Sequence, residues 1–277
     1  MLLTLLGTGT STGVPVIGCT CETCSSSDPR DKRLRTSALL DVAGERILFD
    51  CGPDFRQQML RTAPRPCPSD DPEAHLRQLS AIFITHEHAD HVCGLDDLRP
   101  GRLFGKVPIY AEDRVVKNLQ ARLPYCFLPR EKRYPGVPAM ELKEIRPYQP
   151  VRVGEVEVLP LRVWHGKLPI LGFRIGLVRK GGASVGPLAY ITDMSAMEPH
   201  DLSLLHGLHV FVVNALRPWP HPSHQTVSDA IRLSERLGSP ETYLIHLTHD
   251  IRPYRIADAN LPPHVHYGYD GLQIRCS

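Results

Sequence analysis

Short apolar runs recur along the chain, each of a length that suits a β-strand. They are Leu2 to Leu6, Ala38 to Val42, Arg46 to Phe49, Ala81 to Thr85, Val107 to Tyr110, Val156 to Val163, Gly172 to Val178, Leu188 to Thr192, Leu208 to Val213 and Thr242 to His246. Several are continuously apolar rather than alternating, the pattern of strands covered on both faces. Helical periodicity falls between them at Asp54 to Arg61, Leu95 to Leu103, Asp113 to Arg122 and Thr226 to Leu237. The last has a readable start and stop: Thr226 with Asp229 three residues on makes a capping-box-like N-terminus, and Gly238 suits the left-handed position after a helix. Grouped strands with helices outside predict an α/β architecture of four layers, an αββα sandwich of two mixed β-sheets packed face to face between helices. No repeat and no long Gly/Ser linker interrupts residues 1–277, so one domain is expected, with a small loop of its own near residues 19–24.

Composition narrows the classes of function. Hydrophobic residues at 42% and charged residues at 22% describe an ordinary globular protein, which excludes a fibrous or extensively disordered chain. Basic and acidic residues number 32 and 30, a net charge of +2, so the electrostatic footprint of a dedicated nucleic-acid binder is missing. The apolar start Met1 to Leu6 has no basic residue before it and is cut by Gly7, so neither a signal peptide nor a membrane span is expected, and the cytoplasm is the expected location. Eight cysteines without an export signal read as reduced thiols, some of them metal ligands. Thr62 to Glu73 and Pro124 to Pro138, the latter with the basic cluster Arg130, Lys132 and Arg133, read as solvated loops, of which one could border a substrate cleft.

The unusual number is 14 histidines, and their placement carries the chemistry. Thr85-His86-Glu87-His88-Ala89-Asp90-His91 directly follows the strand Ala81 to Ile84. An extended backbone points His86 and His88 the same way, and the turn that follows lets Asp90 and His91 face a second point nearby. Imidazoles with carboxylates are ligands of zinc, manganese or iron and suit hydrolytic two-metal centres. Cys19-Thr20-Cys21-Glu22-Thr23-Cys24 places three thiols at a spacing that can converge on one tetrahedral ion. His249, three residues beyond His246, is the natural fourth ligand. The segment from Ile245 to His249 would then link the two sites. Gly7-Thr8-Gly9 is not a dinucleotide fingerprint, because position 12 is Thr12, and no P-loop lysine follows; a tight turn under the metal site is expected instead.

The His-x-His-x-Asp-His motif resembles the signature of the metallo-β-lactamase superfamily, and the resemblance runs along nearly the whole chain. It implies the metallo-β-lactamase fold, with further ligands at later strand ends. His165 after Trp164, Asp193 after Thr192 and His246 after Ile245 stand in the required order. The resemblance implies that His86, His88 and His165 hold one divalent ion, that Asp90, His91 and His246 hold the other, and that Asp193 bridges them. Gly7-Thr8-Gly9-Thr10-Ser11, Gly13-Val14-Pro15, Cys-x-Cys-x-x-Cys, His165-Gly166-Lys167-Leu168 and Ile245-His246-Leu247-Thr248-His249 are similar to the PhnP-type phosphodiesterase branch. That branch implies one structural zinc on Cys19, Cys21, Cys24 and His249, two catalytic ions (zinc or manganese), and hydrolysis of small phosphodiesters such as cyclic nucleotides or cyclic ribose phosphates. It further implies His224 as general acid, with Asp90 as the second catalytic residue and His221 in support. An anion near the helix that starts at Thr226 would meet free backbone N–H groups. The longer Thr62 to Glu73 segment and Cys51 after Asp50 depart from the pattern and leave substrate shape open.

Four other readings share these motifs. A tRNA 3′-processing nuclease normally adds a long basic arm, which this sequence lacks. A lactonase or thioesterase would use the same centre on carbon esters. The pyrroloquinoline-quinone biosynthesis member of the superfamily carries the same cysteine pattern. A non-catalytic binding module is disfavoured by the full ligand set. The partner expected is a small-molecule phosphodiester, with no stable nucleic-acid partner and no membrane, and with room for a homodimer.

Overall fold

The computed structural model describes residues 1–62, 79–99, 106–138, 140–178, 184–238 and 240–276. Among these residues the strands form two sheets. The first contains, from edge to edge, β15 (Gln273–Arg275), β1 (Leu2–Gly7), β2 (Ser37–Val42), β3 (Glu45–Phe49), β4 (Ala81–Phe83), β5 (Val107–Ala111) and β6 (Met140–Glu144). The second runs β11 (Ala196–Met197), β8 (Val156–His165), β9 (Leu168–Val178), β10 (Ser184–Ile191), β12 (Val210–Asn214), β13 (Glu241–Ile245) and β14 (Val265–Tyr267), with β7 (Val151–Val153) also paired to β8. Each sheet is antiparallel at one end and parallel at the other: β1, β2 and β3 pair antiparallel and β3 to β6 parallel, while β8, β9 and β10 pair antiparallel and β10, β12, β13 and β14 parallel.

The alternation of side chains across each strand explains why continuous apolar runs were needed. On β3, Ile47 and Phe49 face the second sheet while Leu48 faces the outer layer. On β10, Leu188 and Tyr190 face inward and Ala189 and Ile191 outward. The outer face of the first sheet is covered by the helices Phe55–Arg61 and Asp113–Arg122 through Phe55, Val115 and Leu119. The outer face of the second meets the helix Val227–Arg236 through Val227 and Ala230. This is the expected four-layer αββα sandwich.

The strand and helix expectations hold at all ten apolar runs and at three of the four helices, within a few residues. Leu95 to Leu103 differs: a 3₁₀ turn covers Leu95–Leu98, and positions 100–105 lie outside the described residues. The predicted capping box at Thr226 is present, with Asp229 N–H donating to Thr226 Oγ1 and Thr226 N–H to Asp229 Oδ2, and Gly238 has φ +89°. Of the two irregular segments, positions 63–73 lie outside the described residues, and the Pro124 to Pro138 stretch forms short 3₁₀ turns. Among the described residues no helix is long and apolar enough to cross a membrane.

Between the sheets, Phe49 sits at the centre of an aromatic cluster, with ring centroids 5.9 Å from Phe83, 5.6 Å from Phe173 and 5.4 Å from Tyr190. It joins both sheets directly beneath the strand ends that bear the candidate ligands. Phe49→Ala removes a fully buried ring from this junction and should cost about 3–5 kcal/mol of stability, measured by urea unfolding.

Candidate metal centre

The ligand-type residues stand where β-strands stop. Asp50 follows β3, the motif His86 to His91 follows β4, His165 ends β8, Asp193 follows β10 by one residue and His246 follows β13. Three of them have left-handed backbone: Asp50 at φ 59°, Asp193 at 58° and His246 at 57°. A residue with a Cβ in that conformation costs roughly 1–2 kcal/mol, so the packing around these turns has to hold them. Here Asn214, at the end of β12, does part of the holding. Its side chain accepts from Met194 N–H at 2.8 Å and donates to Met194 O at 2.9 Å, fixing the turn immediately after Asp193.

The motif turns as expected. His86 and His88 leave the strand on one side, and Ala89–Val92 forms one helical turn that carries Asp90 and His91. Gly52 permits the close approach of this turn: a Cβ there would lie 2.0 Å from the Asp90 carbonyl oxygen. Cys51 N–H also donates to His91 O at 2.8 Å, so the end of β3 and the motif form one unit.

Three overlapping groups of potential ligand atoms result: His86, His88 and His165; Asp90, His91, Asp193 and His246; and His165, Asp193 and His224. His86 Nε2 lies 2.9 Å from His88 Nδ1. His165 Nδ1 lies 2.8 Å from the Ser223 carbonyl oxygen, which can only accept; the ring proton is therefore on Nδ1 and the Nε2 lone pair is free. His91 Nδ1 faces Asp50 Oδ2 at 2.8 Å in the same manner, turning Nε2 towards Asp193 Oδ2 at 3.2 Å and Asp90 Oδ2 at 3.3 Å. His246 Nε2 is 3.1 Å from Asp193 Oδ1 and 3.6 Å from Asp90 Oδ2. Asp193 thus presents one oxygen to each of His91 and His246. Thr85 Oγ1 lies 3.0 Å from Asp50 and 3.0 Å from His86 Nδ1, so a donor chain from His86 through Thr85 to Asp50 leaves His86 Nε2 as a lone pair.

These residues fit a bound cation pair better than they fit one another. His91 Nε2, His246 Nδ1 and Nε2 and His224 Nδ1 are all buried without a hydrogen-bond partner. Each such atom left unpaired costs about 1–3 kcal/mol, and an ion at the focus removes that cost for the nitrogens that ligate it. Charge is distributed accordingly. Burial alone would raise the carboxyl of Asp193, but His246 and His91 hold it well below the usual range. Burial would likewise lower His91, and Asp193, Asp50 and Asp90 lift it instead. His86, buried and facing His91, is pushed down and stays neutral, the state a ligand needs.

The second cluster also forms. Cys19, Cys21 and Cys24 place Sγ 3.2, 3.5 and 3.5 Å from the same atom, His249 Nδ1. One ring nitrogen has a single proton or a single lone pair and cannot hydrogen-bond three sulfurs; a tetrahedral ion between them, with Zn–S about 2.3 Å and Zn–N about 2.0 Å, gives edges of this length. Backbone N–H groups support thiolate charge there. Cys24 N–H donates to Cys21 Sγ at 3.4 Å and, with His249, brings that thiol down to about 7; Val16 N–H donates to Cys24 Sγ at 3.4 Å, though burial pushes this second thiol up to about 11 in the absence of an ion. His246 and His249 diverge into the two clusters as their spacing suggested. Between them Leu247 pairs with the glycine segment: Leu247 N–H donates to Thr8 O at 2.9 Å and Thr10 N–H to Leu247 O at 3.1 Å. The tight turn expected at Gly7-Thr8-Gly9 is corrected: Gly7 ends β1 and Gly9 bridges Arg35 and Leu247 in extended backbone, where a Cβ on Gly7 would strike Arg35 O at 1.9 Å.

His224 lies beside the centre, its Nδ1 4.0 Å from Asp193 Oδ1 and its ring 4.5 Å from His165 and 5.0 Å from His246. Burial, then His246, lowers it to about 3. The expectation of open N–H groups at the following helix is corrected: Thr226 N–H and Asp229 N–H are used in the capping box and Val227 N–H donates to Arg217 O at 3.2 Å. Asp229 already supplies the anion there. The sequence reading missed the orienting groups Asp50, Thr85, Asn214 and the Ser223 carbonyl. Asp50 and Asn214 carry a signal, each being the first polar residue after an apolar strand; a backbone carbonyl carries none.

Two facing mixed sheets with paired His/Asp groups at their strand ends define a hydrolase of the metallo-β-lactamase class. A family model for the beta-lactamase superfamily domain matches residues 45–247, and the chain belongs to that family. Octanoyltransferase of Porphyromonas gingivalis (strain ATCC BAA-308 / W83) is 44% identical over 271 residues, covering 97% of this chain and 50% of that protein. Coenzyme PQQ synthesis protein B of Methylorubrum populi is 36% identical over 126 residues, 43% of this chain and 40% of that protein. The chain thus spans half or less of the length of these curated relatives. A solved structure described as a new diphosphatase from the PhnP family superposes with a TM-score of 0.83 at 34% identity, covering 99% of this chain and 96% of that one.

Asp50→Asn should weaken binding of the ion near His91 about 10–100-fold while the fold stays intact, read by competition with a chromophoric chelator. Purified protein should hold about three divalent ions per chain, and Cys24→Ser should lose about one of them, counted by elemental analysis.

Proposed function

We propose that this chain is a phosphodiesterase that uses two divalent ions, zinc or manganese, on small diesters such as cyclic nucleotides or cyclic ribose phosphates. The observation that carries the reading is the place of His224, whose buried Nδ1 has no hydrogen-bond partner and lies 4.0 Å from Asp193 Oδ1. His86, His88 and His165 would hold one ion, Asp90, His91 and His246 the other, with Asp193 between them. The third ion, a structural zinc, would sit on Cys19, Cys21, Cys24 and His249. When bound, the catalytic pair supplies charge neutralisation for the phosphoryl oxygens and activates water.

The chain's own residues do the rest. Asp50 and the Ser223 carbonyl lock the rings of His91 and His165, so the lone pairs arrive already oriented and no reorganisation is needed during reaction. Asp90 and Asp193 bring negative charge that keeps His91 and His246 directed inward. His224 delivers a proton to the departing oxygen. Burial and His246 disfavour its charged ring, and an anionic diester beside it would act in the opposite direction.

The diphosphatase activity attributed to the 34% identical structure is a second reading, since a phosphoanhydride presents the same phosphoryl group to the same residues. The P. gingivalis protein named octanoyltransferase is matched over 50% of its length, so that activity is not carried over to this chain. Among the described residues the cysteines outside the zinc-type cluster are Cys51, Cys126 and Cys276, buried with thiols pushed up by burial, and the exposed Cys93. None is poised as an acyl-accepting thiolate beside the centre.

Asp193→Ala should abolish turnover of bis(p-nitrophenyl) phosphate and lower the metal content. His224→Ala should keep its metal and lose roughly 10²–10⁴-fold in rate, most with diesters whose leaving group is a poor alkoxide. Full activity of Asp193→Ala would sink the assignment, and a panel of diesters, diphosphates and lactones separates the two phosphoryl readings from the carbon-ester one.

A further inference from the structure

The segment from Arg217 to His224 is a short strap whose far end the reaction scheme above leaves unused. At its inner end Ser223 O accepts from His165, and His224 stands at the centre. Moving outward, His221 lies with its ring 5.0 Å from His224 and accepts at Nδ1 from Ser223 N–H at 3.3 Å. Two residues before it in the chain stands Trp219, 49% exposed, the largest apolar ring at the surface of the described residues. Pro218, Pro220 and Pro222 flank it and fix the backbone. Arg217 lies over the ring, guanidinium carbon to centroid 5.7 Å, and donates through Nη2 to Pro220 O at 3.1 Å. Gly166, next to His165, closes the other side: a Cβ there would come within 3.3 Å of Ser223 Cβ.

A half-exposed indole backed by a guanidinium, five residues before a group that serves the leaving oxygen, is the construction of a stacking platform. An aromatic ring of this kind binds nucleobases through their faces without reading their sequence, and each such stack is worth about 1–3 kcal/mol by alanine substitution. We propose that Arg217, Trp219 and His221 form an outer subsite that stacks a nucleobase, so that the substrates of this centre are nucleotide phosphoesters rather than bare sugar phosphates. The inference rests on the phosphodiesterase reading and narrows its substrate class. Arg217 keeps the indole in place, Trp219 supplies the face, and His221 spans the gap to His224.

The test separates the two claims by measuring binding and turnover independently on the metal-loaded protein. Adenosine 5′-monophosphate and ribose 5-phosphate share the phosphoryl and sugar groups and differ by the base. Adenosine 5′-monophosphate should bind wild type about tenfold more tightly by calorimetry and should quench tryptophan emission, whereas ribose 5-phosphate should not quench. Trp219→Ala should bring the two dissociation constants to within about twofold of each other and abolish the quench, and Trp219→Phe should restore most of the preference. A wild-type preference near unity, or one that survives in Trp219→Ala, overturns the subsite. Turnover of methyl p-nitrophenyl phosphate, which has no base, reports on the phosphodiesterase reading by itself: its absence in wild type removes that reading whatever the nucleotide binding shows.

Discussion

The structure is organised around lone pairs that point at one another. His86, His88 and His165 on one side and Asp90, His91, Asp193 and His246 on the other bring their donor atoms together in two adjoining groups, and four of the surrounding ring nitrogens are buried without a hydrogen-bond partner. The carboxylates and the rings of His91 and His246 offset one another in part, and a bound cation would also satisfy the ring nitrogens that have no hydrogen bond. Everything nearby serves to keep the donors from relaxing away. Asp50 and the Ser223 carbonyl each pin a ring, Asn214 clamps the turn after Asp193, and Gly52 lets the Asp90 turn come close enough to matter.

That arrangement explains where the backbone is strained. Asp50, Asp193 and His246 adopt left-handed conformations at the ends of three different strands, beneath which lie the buried rings of Phe49, Phe83, Phe173 and Tyr190. The sandwich core is rigid enough to impose a sharp reversal on each chain as it leaves the sheet. Fold and site are therefore linked through the carboxyl ends of strands, and function depends on core packing that never touches a ligand.

Much of this was legible in the sequence because its signals are local. An apolar run followed at once by His, Asp or His states both the strand and the residue at its tip, and the runs before His86, Asp193 and His246 did so plainly. The Thr226 capping box and the three closely spaced cysteines were legible for the same reason. What escaped were β6, β7, β11, β14 and β15, which are short, edge-placed or carry polar side chains on alternate positions, as in Gln273-Ile274-Arg275. The supporting contacts escaped too. A main-chain carbonyl such as that of Ser223 has no residue type, and the pairing of Asp50 with His91 across 41 positions exists only once β3 and β4 lie side by side. The open helix N-terminus expected beside His224 was a misreading of a self-sufficient cap, since Asp229 completes it from within.

The stitch between Leu247 and the Thr8 to Thr10 segment joins positions far apart in the sequence, and it lies between His246 and His249. Both ion-type clusters therefore draw a donor from one short stretch, so any displacement of that stretch moves a donor of each cluster at the same time.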